Sequence, residues 1–172
     1  MRSRFVHGLL LAAGVSLAGC ATQPAPTDIV ERNKRVVRTL YEECLNRGRL
    51  ERLPELVADE YEGVSKTRGP DGFRIIVEGL RTGFPDIRYT IEDLLAEDDR
   101  VVIRWTWEGT HDGRYLVFPP SGKKHRVSGI TIYEVKDGKI VRAWLQADRL
   151  GHLQQFGVVP SDIATRPPAE PK

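Results

Sequence analysis

From Asp28 onward the apolar residues recur at helical spacing. Ile29, Val36, Val37, Leu40, Tyr41, Cys44 and Leu45 fall on one stripe, with Asn33 among them and Arg and Glu between. Steps of three and four predict one long amphipathic helix, capped by Asp28 and stopped at Asn46-Arg47-Gly48. Leu50, Leu53, Leu56 and Val57 predict a short second helix. Gly69-Pro70-Asp71-Gly72 opens a third, with Phe73, Ile76, Val77 and Leu80 on its inner face, and Phe84-Pro85-Asp86 ends it.

After Asp86 the period changes to two. Ile87, Tyr89 and Ile91 alternate with Arg88, Thr90 and Glu92, and this strand runs to the turn Glu97-Asp98-Asp99-Arg100. Val101, Ile103, Trp105 and Trp107 alternate with Arg104, Thr106 and Glu108 in a second strand. Pro119-Pro120-Ser121-Gly122 marks a loop, and Val127 to Val135 reads as a third strand. Lys136-Asp137-Gly138-Lys139 then turns into a fourth, Ile140 to Asp148; Asp-Gly between two β-rich runs signals a type I′ hairpin. Leu150 to Phe156 predicts a short terminal helix, and the proline-rich 159–172 a disordered tail. Helices followed by an antiparallel meander give the α+β class. Strands that mix large apolar and polar residues on one face predict a curved sheet around a cavity, with helices over its open side.

The first 27 residues stand apart from this pattern. Arg2 and Arg4 precede an apolar run from Phe5 to Ala18, then small residues and Cys20. That is the layout of a secretory signal, and about 14 apolar residues fall short of the ~20 that span a bilayer. Leu17-Ala18-Gly19-Cys20 resembles the lipobox of bacterial lipoproteins. The resemblance implies cleavage before Cys20, its lipidation, and acylation of the new terminus, an anchor of two or more chains that holds stably. An ordinary cleaved signal with a chance cysteine is the other reading. The expected organisation is a signal at 1–19, a Pro-containing tether at 20–27, a domain at 28–158 and the tail. Ala21 after the cysteine points to the outer membrane of a bacterial envelope, facing the periplasm, with Cys20 as the membrane contact.

Composition then narrows the partners. The chain has 26 Lys+Arg against 24 Asp+Glu, and Arg2 and Arg4 account for the excess, so the mature chain is near neutral. A sequence-independent nucleic-acid binder needs a basic surplus to neutralise phosphates, so no nucleic-acid partner is expected. With Cys20 committed to lipid, Cys44 has no partner for a disulfide and reads as a small buried hydrophobe. His7, His111, His125 and His152 lack metal-ligand spacing. No phosphate loop, nucleophile elbow or Cys-His arrangement is present, and no cofactor is expected.

Several segments together resemble one family. Asp137-Gly138-Lys139-Ile140-Val141, Trp144, Asp148, Leu150-Gly151 and Leu153-Gln154-Gln155-Phe156-Gly157 are similar to the C-terminal signature of SnoaL-like polyketide cyclases and ester cyclases, members of the nuclear-transport-factor-2-like superfamily. Gly109-Thr110-His111, Pro119-Pro120-Ser121-Gly122 and the helix from Asn33-Lys34 to Asn46-Arg47-Gly48 also resemble segments of that family. The likeness covers roughly 28–158. It implies a cone: a curved antiparallel sheet against three helices, with a pocket at the open end. It also implies sheet-to-sheet homodimers and an intramolecular aldol closure in which a pocket aspartate serves as acid and base, without metal or cofactor. Asp148 stands at that aspartate's position.

The residues themselves leave roles open. In a strand ending at Asp148, residues Trp144, Gln146 and Asp148 share a face. If Trp144 faces the cavity the carboxylate does too, beside an indole that disfavours its charged form. Asp148 is then a candidate acid/base; capping the terminal helix is its alternative. His111 continues the parity of Val101 to Trp107, either to hold a substrate oxygen or as a satisfied histidine at a strand end. Asn33 and Tyr41 face inward from the first helix, and a buried Asn33 needs a partner or a ligand. Trp105, Trp107 and Trp144 are either core or binding surface. Two functions stay open: acid/base chemistry on a small hydrophobic carbonyl compound, or binding of an apolar ligand or partner without chemistry.

Overall fold

The computed structural model describes residues 26–63, 66–163 and 165. The signal, Cys20 and most of the tether lie outside the described residues. Helix α1 (Pro26–Thr39) begins earlier than its spacing predicts, taking in the last two residues of the expected tether. Asp28 therefore sits in its first turn instead of capping it. Proline suits a helix start, where its missing N–H has no helical acceptor to lose. From Leu40 to Asn46 the helix widens to π geometry, burying Leu40, Tyr41, Cys44 and Leu45. Burial pushes the free Cys44 thiol up to about 11, so it packs as an inert hydrophobe.

The second helix is cut short. A 3-10 turn at Leu50–Arg52 leads into α2 (Leu53–Leu56), and Val57 begins a strand, β1 (Val57–Glu62), that the alternation had not revealed. Helix α3 (Gly69–Gly83) and strands β2 (Arg88–Glu97), β3 (Arg100–Thr110), β4 (Lys124–Lys136) and β5 (Lys139–Ala147) follow where the pattern puts them. The hairpin between β4 and β5 turns on Asp137 (φ 49) and Gly138 (φ 80), the two positive φ values a type I′ turn requires. Helix α4 (Arg149–Gln155) closes the fold. Of the expected tail, residues 161–163 and 165 form turns, and Gln154 Nε2 donates to the Pro160 carbonyl at 3.0 Å.

The five strands lie in the order β1-β5-β4-β3-β2. β1 pairs with β5 in parallel and the other pairs are antiparallel, so the sheet is mixed, not antiparallel throughout. Val37, Leu40, Leu53, Val101, Ile103 and Ile140, all fully buried, join the helices to the inner face of the sheet. At about 1.5–3 kcal/mol per buried aliphatic side chain, this face supplies most of the driving force for folding.

A bulge in β5 decides what reaches that face. Val135 pairs with Ile140 and Glu134 with Arg142, which leaves Val141 as an extra residue. An extra residue reverses the side-chain alternation beyond it. Ile140 points inward, but so do Ala143, Leu145 and Ala147, while Trp144 and Gln146 point outward beside Ile132 and Ile130. Among the described residues no helix is long and apolar enough to cross a membrane.

Candidate active site

The inner face of the sheet, the π-helical turn at Leu40–Asn46, α3 and α4 line a cavity of about 700 Å³. Its floor is aromatic and hydroxyl-bearing: Tyr41 from the π-helical turn, Tyr61 from β1, Tyr89 from β2, Trp105 from β3, and Thr131 and Tyr133 from β4. Trp105 Nε1 donates to Thr131 Oγ1 at 2.9 Å, and the Tyr41 and Tyr133 hydroxyls lie 3.4 Å apart. Burial pushes Tyr61 up to about 12 and Tyr41, Tyr89 and Tyr133 well above the ordinary phenol range. All four therefore keep their protons at neutral pH. Small residues on the wall, Ala143 and Ala147 of β5, leave the space open.

The mouth is lined by Ile75 and Gly79 of α3, Leu116, and Arg149 and Leu153 of α4. Leu116 stands at the tip of a tight turn in which Tyr115 and Phe118 exchange backbone hydrogen bonds at 3.1 and 2.9 Å. Its φ of 52 is left-handed and its side chain is exposed. Phe118 stacks on Phe156 at 4.1 Å, tying this turn to the end of α4.

Asp148 lines the cavity, although not through the shared face expected for it. The chain leaves β5 at Ala147 and turns into α4, and this turn places Asp148 at the cavity lining. Oδ1 accepts from the Gly151 N–H at 2.8 Å, so the carboxylate also caps α4. It is the only carboxylate lining the cavity among the described residues. Trp144 and Gln146, expected beside it, are on the outer face because of the bulge at Val141. There the Arg100 and Arg142 guanidinium groups lie 5.0 and 5.7 Å from the Trp144 ring centre.

Of the other expected residues, Tyr41, Trp105 and Trp107 line the cavity. Asn33 does not: its Nδ2 donates to the Asp98 carbonyl at 3.1 Å, fastening α1 to the β2–β3 turn. His111 is fully buried behind the cavity wall, stacked on Phe84 at 5.2 Å with Nδ1 3.1 Å from Ser121 Oγ. Its backbone carbonyl accepts from Ser121 and Gly122, so it anchors the loop before β4 and does not itself face the cavity.

Sequence reasoning missed His152, which lines the cavity one helical turn after Asp148. With Phe84, Tyr115 and Phe156 it forms an aromatic cluster that also holds His125 at 5.4 Å. Nε2 of His152 and both ring nitrogens of His125 are buried without a partner. Burial pushes His152 down to about 4; His125 and His111 add to the fall and the Asp148 carboxylate opposes it. Its four-residue spacing from Asp148 was the available signal. Thr131 and Tyr133 were also missed, although both share the inward parity of Val127 and Val135. Among the described residues no group of three or more His, Cys, Asp or Glu side chains is arranged to hold a metal ion.

A neutral imidazole and a carboxylate at one edge of an apolar chamber, with proton-bearing phenols at its floor, suit proton transfer on a carbonyl compound. A family profile described as SnoaL-like polyketide cyclase matches residues 35–156. A candidate SnoaL-like polyketide cyclase from Jannaschia sp. CCS1 superposes with a TM-score of 0.71 at 23% identity, over 81% of this chain and 100% of that one. TsrD from Streptomyces laurentii gives 0.70 at 27% identity, over 75% and 97% of the two chains. A candidate polyketide cyclase from Acidithiobacillus ferrooxidans gives 0.66 at 29%, over 73% and 94%. No curated protein sequence matches the chain.

Proposed function

The chain belongs to the SnoaL-like polyketide cyclase family, and from that membership we propose that it is a cofactor-independent acid/base enzyme closing a ring on an apolar carbonyl compound. The observation that supports this most is that Asp148 is the only acidic residue lining the cavity among the described residues. Its cap hydrogen bond holds Oδ1 and orients the group. In the proposed step the Asp148 carboxylate takes a proton from a carbon beside a carbonyl. That carbon attacks a second carbonyl of the same molecule, a C–C bond forms, and Asp148 returns the proton to the new alkoxide. Nothing is lost or gained, so the reaction is an isomerisation. His152, neutral at working pH, hydrogen-bonds the same substrate edge.

The test is closure of an aryl β-keto ester with a neighbouring ring aldehyde, followed by absorbance. Asp148→Asn should lower the rate about 10²–10⁴-fold, the usual worth of a general acid/base. Unchanged turnover in Asp148→Asn would refute the assignment. One observation favours a second reading, a binder without chemistry: the carboxylate is exposed and already used as a cap. On that reading the wild type binds aryl ketones and turns over none.

We further propose a lipid-anchored protein of the bacterial envelope, on the likeness of Leu17-Ala18-Gly19-Cys20 to a lipobox. A homodimer through the outer face of the sheet completes the reading. Ile130, Ile132 and Trp144 are exposed there side by side, a contiguous apolar patch of the kind that marks contact surfaces.

A further inference from the structure

Two phenols at the deep end of the cavity face each other without a good hydrogen bond. Tyr41 and Tyr133 are 2% and 4% exposed, and their oxygens are 3.4 Å apart, well beyond the ~2.7–2.8 Å of a normal O–H···O bond. Between them they can share only one proton, so the second O–H turns to the Thr131 hydroxyl, which meets both phenols. The Thr131 oxygen also accepts from the Trp105 indole, so its two lone pairs are divided between the indole and the phenols. Buried O–H groups left this loosely paired cost free energy that an added acceptor recovers. An oxygen with two lone pairs, seated between the phenols, accepts from both.

We propose that the Tyr41–Tyr133 pair is a docking site for a carbonyl oxygen, which enters the cavity first and is held far from Asp148. The separation follows from the sheet. The Asp148 N–H donates to the Ser128 carbonyl at 3.0 Å, and Tyr133 lies five residues further along β4. At about 3.3 Å per residue that is roughly 16 Å along the strand. A carbonyl held by the phenols is therefore not the one reacting at Asp148. The ligand class is an elongated, largely apolar molecule with oxygen functions at both ends, one anchored and one beside the carboxylate. This rests on the cavity being the ligand site proposed above, and it adds a specificity determinant that Asp148 does not supply.

The experiment compares two probes of nearly the same shape, 2-acetylnaphthalene and 2-isopropenylnaphthalene, by titration calorimetry on the purified protein. One phenol hydrogen bond is worth about 0.5–1.5 kcal/mol, so two should favour the ketone by about tenfold or more. Tyr41→Phe and Tyr133→Phe should each lose part of that preference, and the double variant all of it. The hydrocarbon's affinity should stay within about twofold, which also reports that the variants fold. The ¹³C-labelled carbonyl stretch should fall on binding to the wild type and return in the double variant. Equal affinity of the wild type for both probes overturns the phenol site while leaving the cavity reading intact. Binding of neither probe overturns both. Asp148→Asn should keep the ketone preference, so a failed catalytic assignment is distinguishable from a failed docking site.

Discussion

Acid should weaken this fold through His152. Its imidazole is pushed down to about 4 by burial among Phe84, Trp107, Tyr115 and Phe156, against 6.5 in an unfolded chain. Between those two pH values the unfolded state binds the proton and the folded state does not, so stability falls as pH falls. The contribution is fully present above pH 6.5 and lost progressively toward pH 4. With 1.36 kcal/mol per pKa unit, the shift corresponds to about 3 kcal/mol in all, of which about 2 kcal/mol is lost between pH 7.5 and pH 5. Both figures are upper bounds, because His152 is partly open to the cavity. The His125 imidazole, also lowered by burial, adds in the same direction. Glu134, held down to about 2 by Lys136 and Arg100, titrates only at lower pH. The assay is urea unfolding at pH 7.5 and pH 5.0 for the wild type and His152→Phe, which keeps an aromatic ring but cannot titrate. The wild type should lose stability, by up to about 2 kcal/mol, and the variant clearly less. A wild-type stability that is flat over this window, or a loss of equal size in His152→Phe, would show that burial does not hold the ring neutral.

Asp148→Ala should cost about 1 kcal/mol by removing the α4 cap, whereas Asp148→Asn should be nearly silent in a thermal melt because Asn caps as well as Asp; equal losses would remove the capping role. Sedimentation should show a homodimer that Trp144→Glu converts to monomer without unfolding, and a wild-type monomer at micromolar concentration would refute the sheet-face pairing. Cys20→Ser should release the protein from the membrane fraction, and a cleaved Cys20→Ser chain that stays membrane-bound would refute the lipid anchor.

Much of the architecture is visible in residue spacing because burial on one face imposes a period. α3 and strands β2 to β4 announce themselves through Phe73, Val77, Tyr89, Ile91, Val101 to Trp107 and Val127 to Val135. The turn at Asp137-Gly138 is visible because few residue pairs accept two positive φ values. β1 is not visible: Val57-Ala58-Asp59-Glu60-Tyr61-Glu62 is short, acidic and irregular, and its register shifts against β5. Its strand character comes from the partner beside it, a tertiary override of weak local preference. The histidine cluster is equally hidden, since His111, His125 and His152 come from a strand end, another strand and a helix.

The single residue that most changed the site was Val141. Ile140 and Val141 are both β-branched and apolar, so neither composition nor alternation says which is the inward residue and which the extra one. Counting straight through from Ile140 puts Arg142, Trp144 and Gln146 inside; the bulge puts Ala143, Leu145 and Ala147 there instead. The two outcomes differ in function as well as in register. An inward Trp144 would place an indole where Ala143 and Leu145 now leave room, against a cavity of about 700 Å³. The same reversal sets Trp144 on the outer face beside Ile132, where it supplies the apolar patch proposed for dimer contact. Val141 as the extra residue thus accounts for both the open chamber and the outer surface. Deleting Val141 would join Ile140 directly to Arg142 and remove the bulge while keeping every pair of the ladder, so Ala143, Leu145 and Ala147 would stay inside and Trp144 outside.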